Sequence, residues 1–376
     1  MNQQNAEFEP VWAAGFMSGT SIDAVDAALI LTDGVDVFEF GAVAEYKYSV
    51  AERAALMRAV DAARAWNWQG KEPNAAFEEA REVITRTHLE AWQLLQESAP
   101  AIATEICGVH GQTVLHRAAR ADEPGQTLQL IDAPALRAGM GTALAFDFRS
   151  NDVAHGGQGA PLAPVYHNAL LRSLDKNAGG AVLNLGGVAN VTFRKPDGEL
   201  LAFDTGPANG PIDEWVESHG AGTHDEGGKL AAAGRVHEDA LRNWMAHPWF
   251  SEAAPKSLDR FDFNAGLADG LSLEDGAATL TAFSAEAAAH ALRALPGAPE
   301  YLILCGGGRH NPQFVRELKQ RCPCEVRTAE AVGWQGDSIE AQAFALLAVR
   351  TMRKLPISWP GTTGVPVPLP GGELLP

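Results

Sequence analysis

The chain has 376 residues, enough for about two or three domains, and its contents of 46% hydrophobic and 20% charged residues are ordinary for a globular protein. The formal net charge of −18 argues against nucleic acid and anionic membranes as main partners, because both require basic patches. A small anionic ligand held locally by backbone N–H groups is still compatible with this charge.

Short apolar runs and helical periodicity alternate along the first part of the chain. Apolar runs predict strands, and apolar residues at helical spacing predict helices. The predicted strands are 12–17, 25–31, 105–109 and 143–146, and the predicted helices are 51–68 and 75–97. Residues 152–164, DVAHGGQGAPLAP, are too rich in glycine and proline to form either element.

The pattern restarts after this break. The predicted strands are 181–185, 190–193, 200–203 and 301–305, and the predicted helices are 277–294 and 338–353. The order strand, tight small-residue turn, strand occurs in both halves, so we expect a duplicated architecture in spite of weak sequence identity. Alternating strands and helices predict an α/β protein with two related lobes and a cleft between them. The proline-rich tail after Leu355 is expected to be extended or loosely ordered.

The amino terminus and the spacing of the cysteines indicate the cellular compartment. The stretch MNQQNAEFEP has neither the basic nor the apolar region of a signal peptide, and no apolar run reaches the roughly 18 residues of a membrane-spanning helix. Cys322 and Cys324 lack the spacing of a redox motif or zinc knuckle, and Cys107 and Cys305 lie in apolar runs typical of buried thiols. We therefore expect a cytoplasmic protein without a membrane partner.

Three turns of small residues could bind phosphate or a nucleotide. Each follows a predicted strand, where α/β proteins place their ligands, and glycine lets the backbone approach closely. Asp23, beside the first turn, could hold Mg²⁺ directly or through water. An ordinary hairpin is the alternative for the first two turns and a loose connection for the third. The candidate residues are Ser18, Gly19, Thr20 and Ser21, then Gly186 and Gly187, and then Gly306, Gly307 and Gly308.

Asp204 is the candidate for acid–base chemistry. It follows an apolar strand and precedes Thr205-Gly206-Pro207, so its carboxylate could face a cleft as a general base. The alternative is an Asx turn or a cap for a helix that starts near Asn209.

Other polar residues could bind the hydroxyls and carboxylate of a substrate. His110, Gln112 and Thr113 form one group, and Arg149 with Asp152 forms another. Arg149 is the better candidate for an anionic group because its guanidinium pairs with a carboxylate through two hydrogen bonds. A structural histidine and a local ion pair are the alternatives. Lys256 and Arg260 are expected to be solvated unless their loop folds over the cleft, and Glu340 begins a predicted helix, where a glutamate favours the helix dipole.

Taken together and in order, six blocks of this sequence closely resemble the anhydro-N-acetylmuramic acid kinases. The blocks are GFMSGTSIDAVDAAL, HGQT, DFRSNDVAHGGQGAPLAP, LNLGGVANVT, FDTGPANGPIDEW and CGGGRHNPQ. The resemblance implies the two-lobed, ribonuclease H-like fold of the actin–hexokinase–acetate kinase superfamily, with ATP between the lobes. It places residues 1–150 and about 340–376 in the N-terminal lobe and residues 151–339 in the C-terminal lobe.

The resemblance also implies an activity and roles for individual residues. ATP and Mg²⁺ would convert 1,6-anhydro-N-acetylmuramic acid and water to N-acetylmuramic acid 6-phosphate, a step in peptidoglycan recycling. Asp204 would be the catalytic base, the turn Ser18–Ser21 would contact the ATP phosphates, and Glu340 would contact the sugar. A homodimer is also expected from the family.

The sequence departs from the family pattern at a few positions. His155 replaces a small residue, Ala24 stands where glycine is common, and Leu258 and Asp259 interrupt the usual PKS-T-G-R pattern. These departures concern substrate affinity and loop closure.

Two other functions compete with this interpretation. A kinase of the same fold could act on a free hydroxyl of another amino sugar, with Asp204 deprotonating that hydroxyl and no water consumed. An ATP-binding conformational module would instead bind a protein client without any dependence on sugar, and such a module needs an exposed apolar surface.

Overall fold

The computed structural model describes residues 8–19, 21–118, 123–175, 179–254, 256–258 and 262–376. The chain divides into two compact units, one formed by Met1–Ser173 with Ser338–Pro376 and the other by Leu174–Asp337. Within the described ranges, no helix is both long and apolar enough to cross a membrane.

The first unit begins with a three-stranded antiparallel meander. Its strands are β1 (Val11–Ser18), β2 (Ala24–Thr32) and β3 (Val37–Lys47), followed by α1 (Val50–Trp66) and α2 (Asn74–Ser98). Then come β4 (Ile106–Val109), β5 (Gln112–Arg117), β6 (Gln126–Leu130), α3 (Ala133–Met140), β7 (Ala143–Phe146), α4 (Ser150–Ala154) and α5 (Pro164–Leu174). The strands and helices predicted here lie within a few residues of these bounds. Residues 152–154 are helical, against expectation, because Val153 N and His155 N complete a short turn with backbone carbonyls.

The second unit repeats the same opening and then adds helices. Its elements are β8 (Gly180–Leu185), β9 (Val188–Arg194), β10 (Leu200–Pro207), α6 (Asn209–Ser218), α7 (Lys229–Ala233), α8 (Glu238–Met245), α9 (Leu273–Arg293), β11 (Tyr301–Cys305), α10 (Pro312–Arg321) and β12 (Glu325–Thr328). The chain then returns to the first unit with α11 (Ile339–Met352), β13 (Pro356–Ser358), β14 (Leu369–Pro370) and β15 (Glu373–Leu375). The tail is extended, and β15 pairs with β7 in the main sheet of the first unit.

Both units are built on the same sheet topology. The order is β15-β7-β4-β1-β2-β3 in the first unit and β10-β9-β8-β11-β12 in the second. In each, the first three strands are antiparallel neighbours and the next two join parallel to the first strand. This order, 3-2-1-4-5 with the second strand antiparallel, is that of a ribonuclease H-like fold. The duplicated architecture is therefore present in the backbone.

The boundary between the units lies later in the chain than the sequence suggested. The sequence placed it at residue 150, whereas the first unit here continues to Ser173. The buried Tyr166 of α5 donates a hydrogen bond of 2.7 Å to Gln342 Oε1 in α11. Arg172 forms a bidentate ion pair with Asp36, at 2.8 and 3.1 Å. These contacts join α5 to the first unit.

Two glycines bring α11 against the sheet of the first unit. A Cβ at Gly15 of β1 would collide with the carbonyl oxygen of Ala341, and one at Gly108 of β4 would collide with that of Phe344. Only glycine permits such a close approach between a strand and a helix backbone. This packing fixes the start of α11, which carries Glu340, relative to the carboxyl ends of β1 and β4.

Candidate active site

The turn between β1 and β2 is held from inside the first unit. The Ser18 hydroxyl, 1% exposed, donates to Gln112 Oε1 at 2.6 Å and lies 2.8 Å from the Tyr48 hydroxyl. Gln112 Nε2 donates in turn to the carbonyl of Gly19 at 3.3 Å. The predicted phosphate turn is therefore tied to the HGQT block. Ser21 and Asp23 are exposed beside it, and Thr20 lies outside the described residues.

Ile22 anchors the same turn in the core. Its backbone has a φ of +54°, its N–H donates to the carbonyl of Gly19 at 3.1 Å, and its side chain packs with Leu56 and Ile84. A β-branched residue rarely adopts a positive φ, and such conformations persist where surrounding packing imposes them. The turn is therefore fixed in shape by a residue that the sequence pattern did not single out.

His110 and Arg149 are joined by a side-chain hydrogen bond. His110 Nδ1 donates to the carbonyl of Gly111 at 2.8 Å, so its Nε2 accepts a hydrogen bond of 2.8 Å from Arg149 Nε. Burial, together with the charge of Arg149, lowers the pKa of His110 well below its usual range. His110 is thus neutral, and it orients the guanidinium through a fixed tautomer.

Arg149 remains charged in this setting. Burial lowers its pKa to about 10, and the negative charges of Glu340 and Asp152 oppose that decrease. Its Nη1 also donates to the carbonyl of Gly159 at 2.6 Å. A guanidinium held at two of its nitrogens presents its other N–H groups in one direction, as recognition of a carboxylate requires.

Glu340 is the second residue of α11. Its side chain as a whole is exposed to solvent, but neighbouring protein atoms partly desolvate the carboxyl group and raise its pKa. The positive charge of Arg149 opposes this increase. Glu340 and Arg149 therefore act on each other electrostatically. Thr113, also predicted to contact substrate, lies in β5, where its hydroxyl accepts a hydrogen bond of 3.2 Å from Gln129.

Asp152 has a different environment from the one expected. Its carboxylate is 2% exposed and accepts from Gly159 N and from the Thr363 hydroxyl, each at 2.6 Å. Both oxygens are therefore engaged by the protein, and Asp152 of α4 binds the loop that follows this helix.

The glycine turns of the second unit meet around Asn209. Asn209 Nδ2 donates to the carbonyls of Leu185 and Gly186, at 2.9 and 3.0 Å. A Cβ at Gly308 would lie 2.9 Å from Asn209 Oδ1, whereas a Cβ at Gly187 or Gly307 would meet no atom within 4 Å. The β8–β9 turn and the turn after β11 are thus packed together while each keeps one glycine open.

A cavity of about 570 Å³ adjoins these turns within the second unit. Its walls combine glycine backbone with polar and acidic side chains, including Asn209, Asp225, Glu226, Gly307, His310 and Asn311. A backbone wall beside hydrogen-bonding groups suits a flat, polar ligand.

Asp204 lies in β10, at an irregularity of the strand. Asp204 pairs with Asn190 of β9, and the register shifts between Asp204 and Gly206, so a bulge at Thr205 follows the aspartate directly. The strand then continues to Pro207, so the expected end at residue 203 was too early. Burial raises the pKa of Asp204 to about 6, against the opposing effect of the Leu258 N–H, which donates to Oδ2 at 2.8 Å.

The whole chain can now be placed among known proteins. The family model for anhydro-N-acetylmuramic acid kinases matches residues 12–375. The chain belongs to this family. A relative from Rhizobium rhizogenes with that name is 50% identical over 369 residues, which span 97% of this chain and 99% of the relative. A relative from Caulobacter vibrioides with the same name is 51% identical over 363 residues, 96% and 98% of the two chains.

Solved structures are much less similar in sequence. The (R)-2-hydroxyglutaryl-CoA dehydratase component A of Acidaminococcus fermentans is 13% identical with a TM-score of 0.45, covering 92% of this chain and all of that one. A ROK family glucokinase from Streptomyces griseus is 11% identical with a TM-score of 0.41, covering 90% and 99%.

The departures from the family pattern have specific places in the structure. At position 258 the contact with Asp204 comes from the backbone N–H, which every residue except proline supplies, so the leucine side chain leaves that contact intact. His155 is exposed and bonds the carbonyl of Asn151 through Nδ1 at 2.8 Å, and Ala24 begins β2. Asp259 and Arg260 lie outside the described residues.

Lys256 is partly buried, which differs from the solvated position expected for an open loop. Its ammonium group donates to the carbonyl of Trp249 at 2.8 Å and lies 4.0 Å from the centre of the Trp249 ring. Its own carbonyl accepts the Asp204 N–H at 2.9 Å. The segment 256–258 therefore runs beside Asp204, and Lys256 holds it there.

Proposed function

We propose that this kinase-family chain converts 1,6-anhydro-N-acetylmuramic acid, ATP and water to N-acetylmuramic acid 6-phosphate and ADP, within peptidoglycan recycling. Near-complete coverage at about 50% identity to relatives of that name supports the substrate. The observation that carries the chemistry is Asp204, whose carboxyl pKa of about 6 suits a base that works near neutral pH.

The reaction couples hydrolysis to phosphoryl transfer. Asp204 takes a proton from a water molecule while the water oxygen attacks C1 of the sugar. The C1–O6 bond breaks, and its electron pair stays on O6. O6 then attacks the γ-phosphorus of ATP, and ADP leaves. A well-placed base contributes roughly 10²–10⁴-fold to such a step.

The glycine turns support ATP as the phosphoryl donor. The β1–β2 turn and the β8–β9 turn occupy equivalent positions in two sheets of the same topology, and each brings backbone N–H groups to the end of a strand. Gly187 and Gly307 have open space where a Cβ would stand. We assign the first two turns to the phosphates and the cavity beside Gly307 to the nucleoside.

Magnesium fits this assignment through a single protein carboxylate. Among the described residues, no group of three or more histidine, cysteine, aspartate or glutamate side chains could hold a metal ion. Mg²⁺ bound with a nucleotide needs only one or two carboxylates besides phosphate and water oxygens, and the exposed Asp23 supplies one. The ion would neutralise charge on the transferred phosphoryl group.

Arg149 and Glu340 are assigned to the sugar. The charged guanidinium of Arg149 would bind the carboxylate of the lactyl group, and the Glu340 carboxylate would accept hydrogen bonds from the sugar. His110 orients Arg149, and Gln112 holds the phosphate turn. Asp152 and Thr113 are engaged by the protein itself. The homodimer and the cytoplasmic location expected from the sequence stay predictions.

The decisive experiment measures ADP release from purified protein with ATP and Mg²⁺, with and without the anhydro sugar, in ¹⁸O-labelled water. We expect ADP release that requires the sugar, and the label on the C1 hydroxyl of the product. ADP release with N-acetylglucosamine or N-acetylmuramic acid but not with the anhydro sugar would indicate an ordinary hydroxyl kinase instead. An Asp204→Asn variant with full activity would remove Asp204 from the mechanism.

A further inference from the structure

A buried hydrogen-bond chain begins at the C-terminal tail of the first unit. The Thr363 hydroxyl, 1% exposed, donates to Asp152 Oδ2 at 2.6 Å, and the Thr363 carbonyl accepts Gln158 N at 2.8 Å. The other oxygen of Asp152 accepts Gly159 N at 2.6 Å. One buried carboxylate thus joins the tail to the loop that follows α4.

The hydrogen-bond chain continues from Asp152 to Arg149 through a single residue, Gly159. Gly159 is held at its N–H by Asp152, and its carbonyl accepts Arg149 Nη1 at 2.6 Å. Gly159 has a φ of +70°, and a Cβ there would lie 2.6 Å from Val153 Cγ2, so this residue has to be glycine. Any shift of Asp152 is therefore passed directly to the acceptor that orients the guanidinium.

We propose that Asp152 and Thr363 are positioning residues for Arg149, and thereby for recognition of the substrate carboxylate. This inference rests on the proposed function, in which Arg149 binds that carboxylate. Neither residue touches the sugar. Together with His110 at Nε, the Asp152–Gly159 contact fixes two of the five N–H donors of the guanidinium before substrate arrives. A guanidinium already held in place loses less conformational freedom on binding, so its affinity for the carboxylate is higher.

The test is the isosteric variant Thr363→Val, which removes the hydroxyl that donates to Asp152. We expect KM for the anhydro sugar to rise roughly tenfold, as for loss of a hydrogen bond to a charged group, with kcat within about twofold of the parent. Thr363→Ser keeps the hydroxyl and should restore KM. The competitive inhibition constant of 1,6-anhydro-N-acetylglucosamine, which lacks the lactyl carboxylate, should not change.

Thr351→Val is the matched control. The Thr351 hydroxyl, also buried, anchors the same tail by donating to the carbonyl of Gly371 at 2.8 Å, without any contact to Asp152. Loosening the tail in general would raise KM equally in both valine variants, and that result would overturn the inference while leaving the proposed function intact. An equal weakening of the sugar without a carboxylate would overturn it as well.

A second readout does not depend on catalysis. Hydrogen–deuterium exchange of the amides in the loop 156–160 should be faster in Thr363→Val than in Thr351→Val or the parent protein, because the Gly159 N–H loses its fixed acceptor. Absence of sugar-dependent ADP release in the parent protein would overturn the proposed function. Unchanged exchange in Thr363→Val would overturn the hydrogen-bond coupling whatever the substrate is.

Discussion

Replacing Asp204 with asparagine should abolish catalysis and stabilise the protein. The carboxyl pKa rises from its ordinary 3.8 to about 6 because the folded protein desolvates the charge. Asparagine is nearly isosteric, and its amide oxygen can still accept the Leu258 N–H. The variant therefore keeps the hydrogen bond and removes only the charge that the folded state disfavours.

The size of the effect follows from the two pKa values. Between pH 3.8 and 6 the folded state binds a proton that the unfolded chain has lost, so the stability of the parent protein falls as pH rises through this window. The full difference corresponds to roughly 3 kcal/mol above pH 6. Because solvent reaches part of the carboxyl group, we expect about half of that, or an increase in Tm of about 3–6 °C for a unit of this size.

Thermal unfolding of parent and variant at several pH values between 4 and 8 measures this prediction. The gain in Tm should be largest above pH 6 and should disappear near pH 4, where the parent carboxyl is protonated. Asp197→Asn is the control, since Asp197 lies in the same β9–β10 hairpin and accepts one backbone N–H but is exposed. If the Tm of Asp204→Asn does not exceed that of the parent at pH 8, or exceeds it equally at pH 4 and pH 8, the buried charge is not what destabilises the parent protein.

Three further changes test other parts of the site. Leu258→Pro removes the N–H that lowers the pKa of Asp204, so the acidic limb of the kcat/KM profile should move to higher pH, whereas Leu258→Ala should leave it in place. The same acidic limb in both variants would show that this N–H does not affect the pKa of Asp204. Gly306→Ala should lower Tm, because φ is +74° and a Cβ would collide with Asn184 Oδ1, while Gly307→Ala should spare Tm and raise KM for ATP. Gln112→Leu should raise KM for ATP more than KM for the sugar, because it frees the phosphate turn; the opposite order in steady-state kinetics would return Gln112 to the sugar site.

Most strands of the two main sheets could be predicted because their signals are local, whereas β3, β12 and β15 were not predicted. Apolar runs such as 143–146 and 301–305 coincide with β7 and β11 residue for residue. The strand β3 was missed because half-exposed and exposed positions dominate it, so it has no apolar run. The irregularity in β10 was also missed, because a bulge depends on pairing with β9 and leaves only a weak trace in composition.

For the candidate site, the sequence indicates polar residues and glycines at strand ends but not what each of them contacts. Asp204, Arg149 and the glycine turns were chosen from composition at strand ends, which is a local signal. Whether a polar side chain faces a ligand or another part of the protein depends on partners far along the chain. Asp152 meets Thr363, 211 residues away, and Ser18 meets Gln112, 94 residues away. No spacing rule relates such pairs, so the sequence could not indicate that the Asp152 carboxylate accepts hydrogen bonds from Gly159 and Thr363.

The HGQT block connects two parts of the candidate site through buried polar side chains. Gly111 has a φ of +73°, and a Cβ there would lie 2.8 Å from the carbonyl of Leu130, so the chain turns sharply between its neighbours. That turn sends His110 to Arg149 and Gln112 to the β1–β2 turn. The segments of the first unit that we assign to the nucleotide and to the sugar are thereby connected through one residue. A change at Gly111 would disturb both segments together, whereas a change at Thr363 reaches only Arg149.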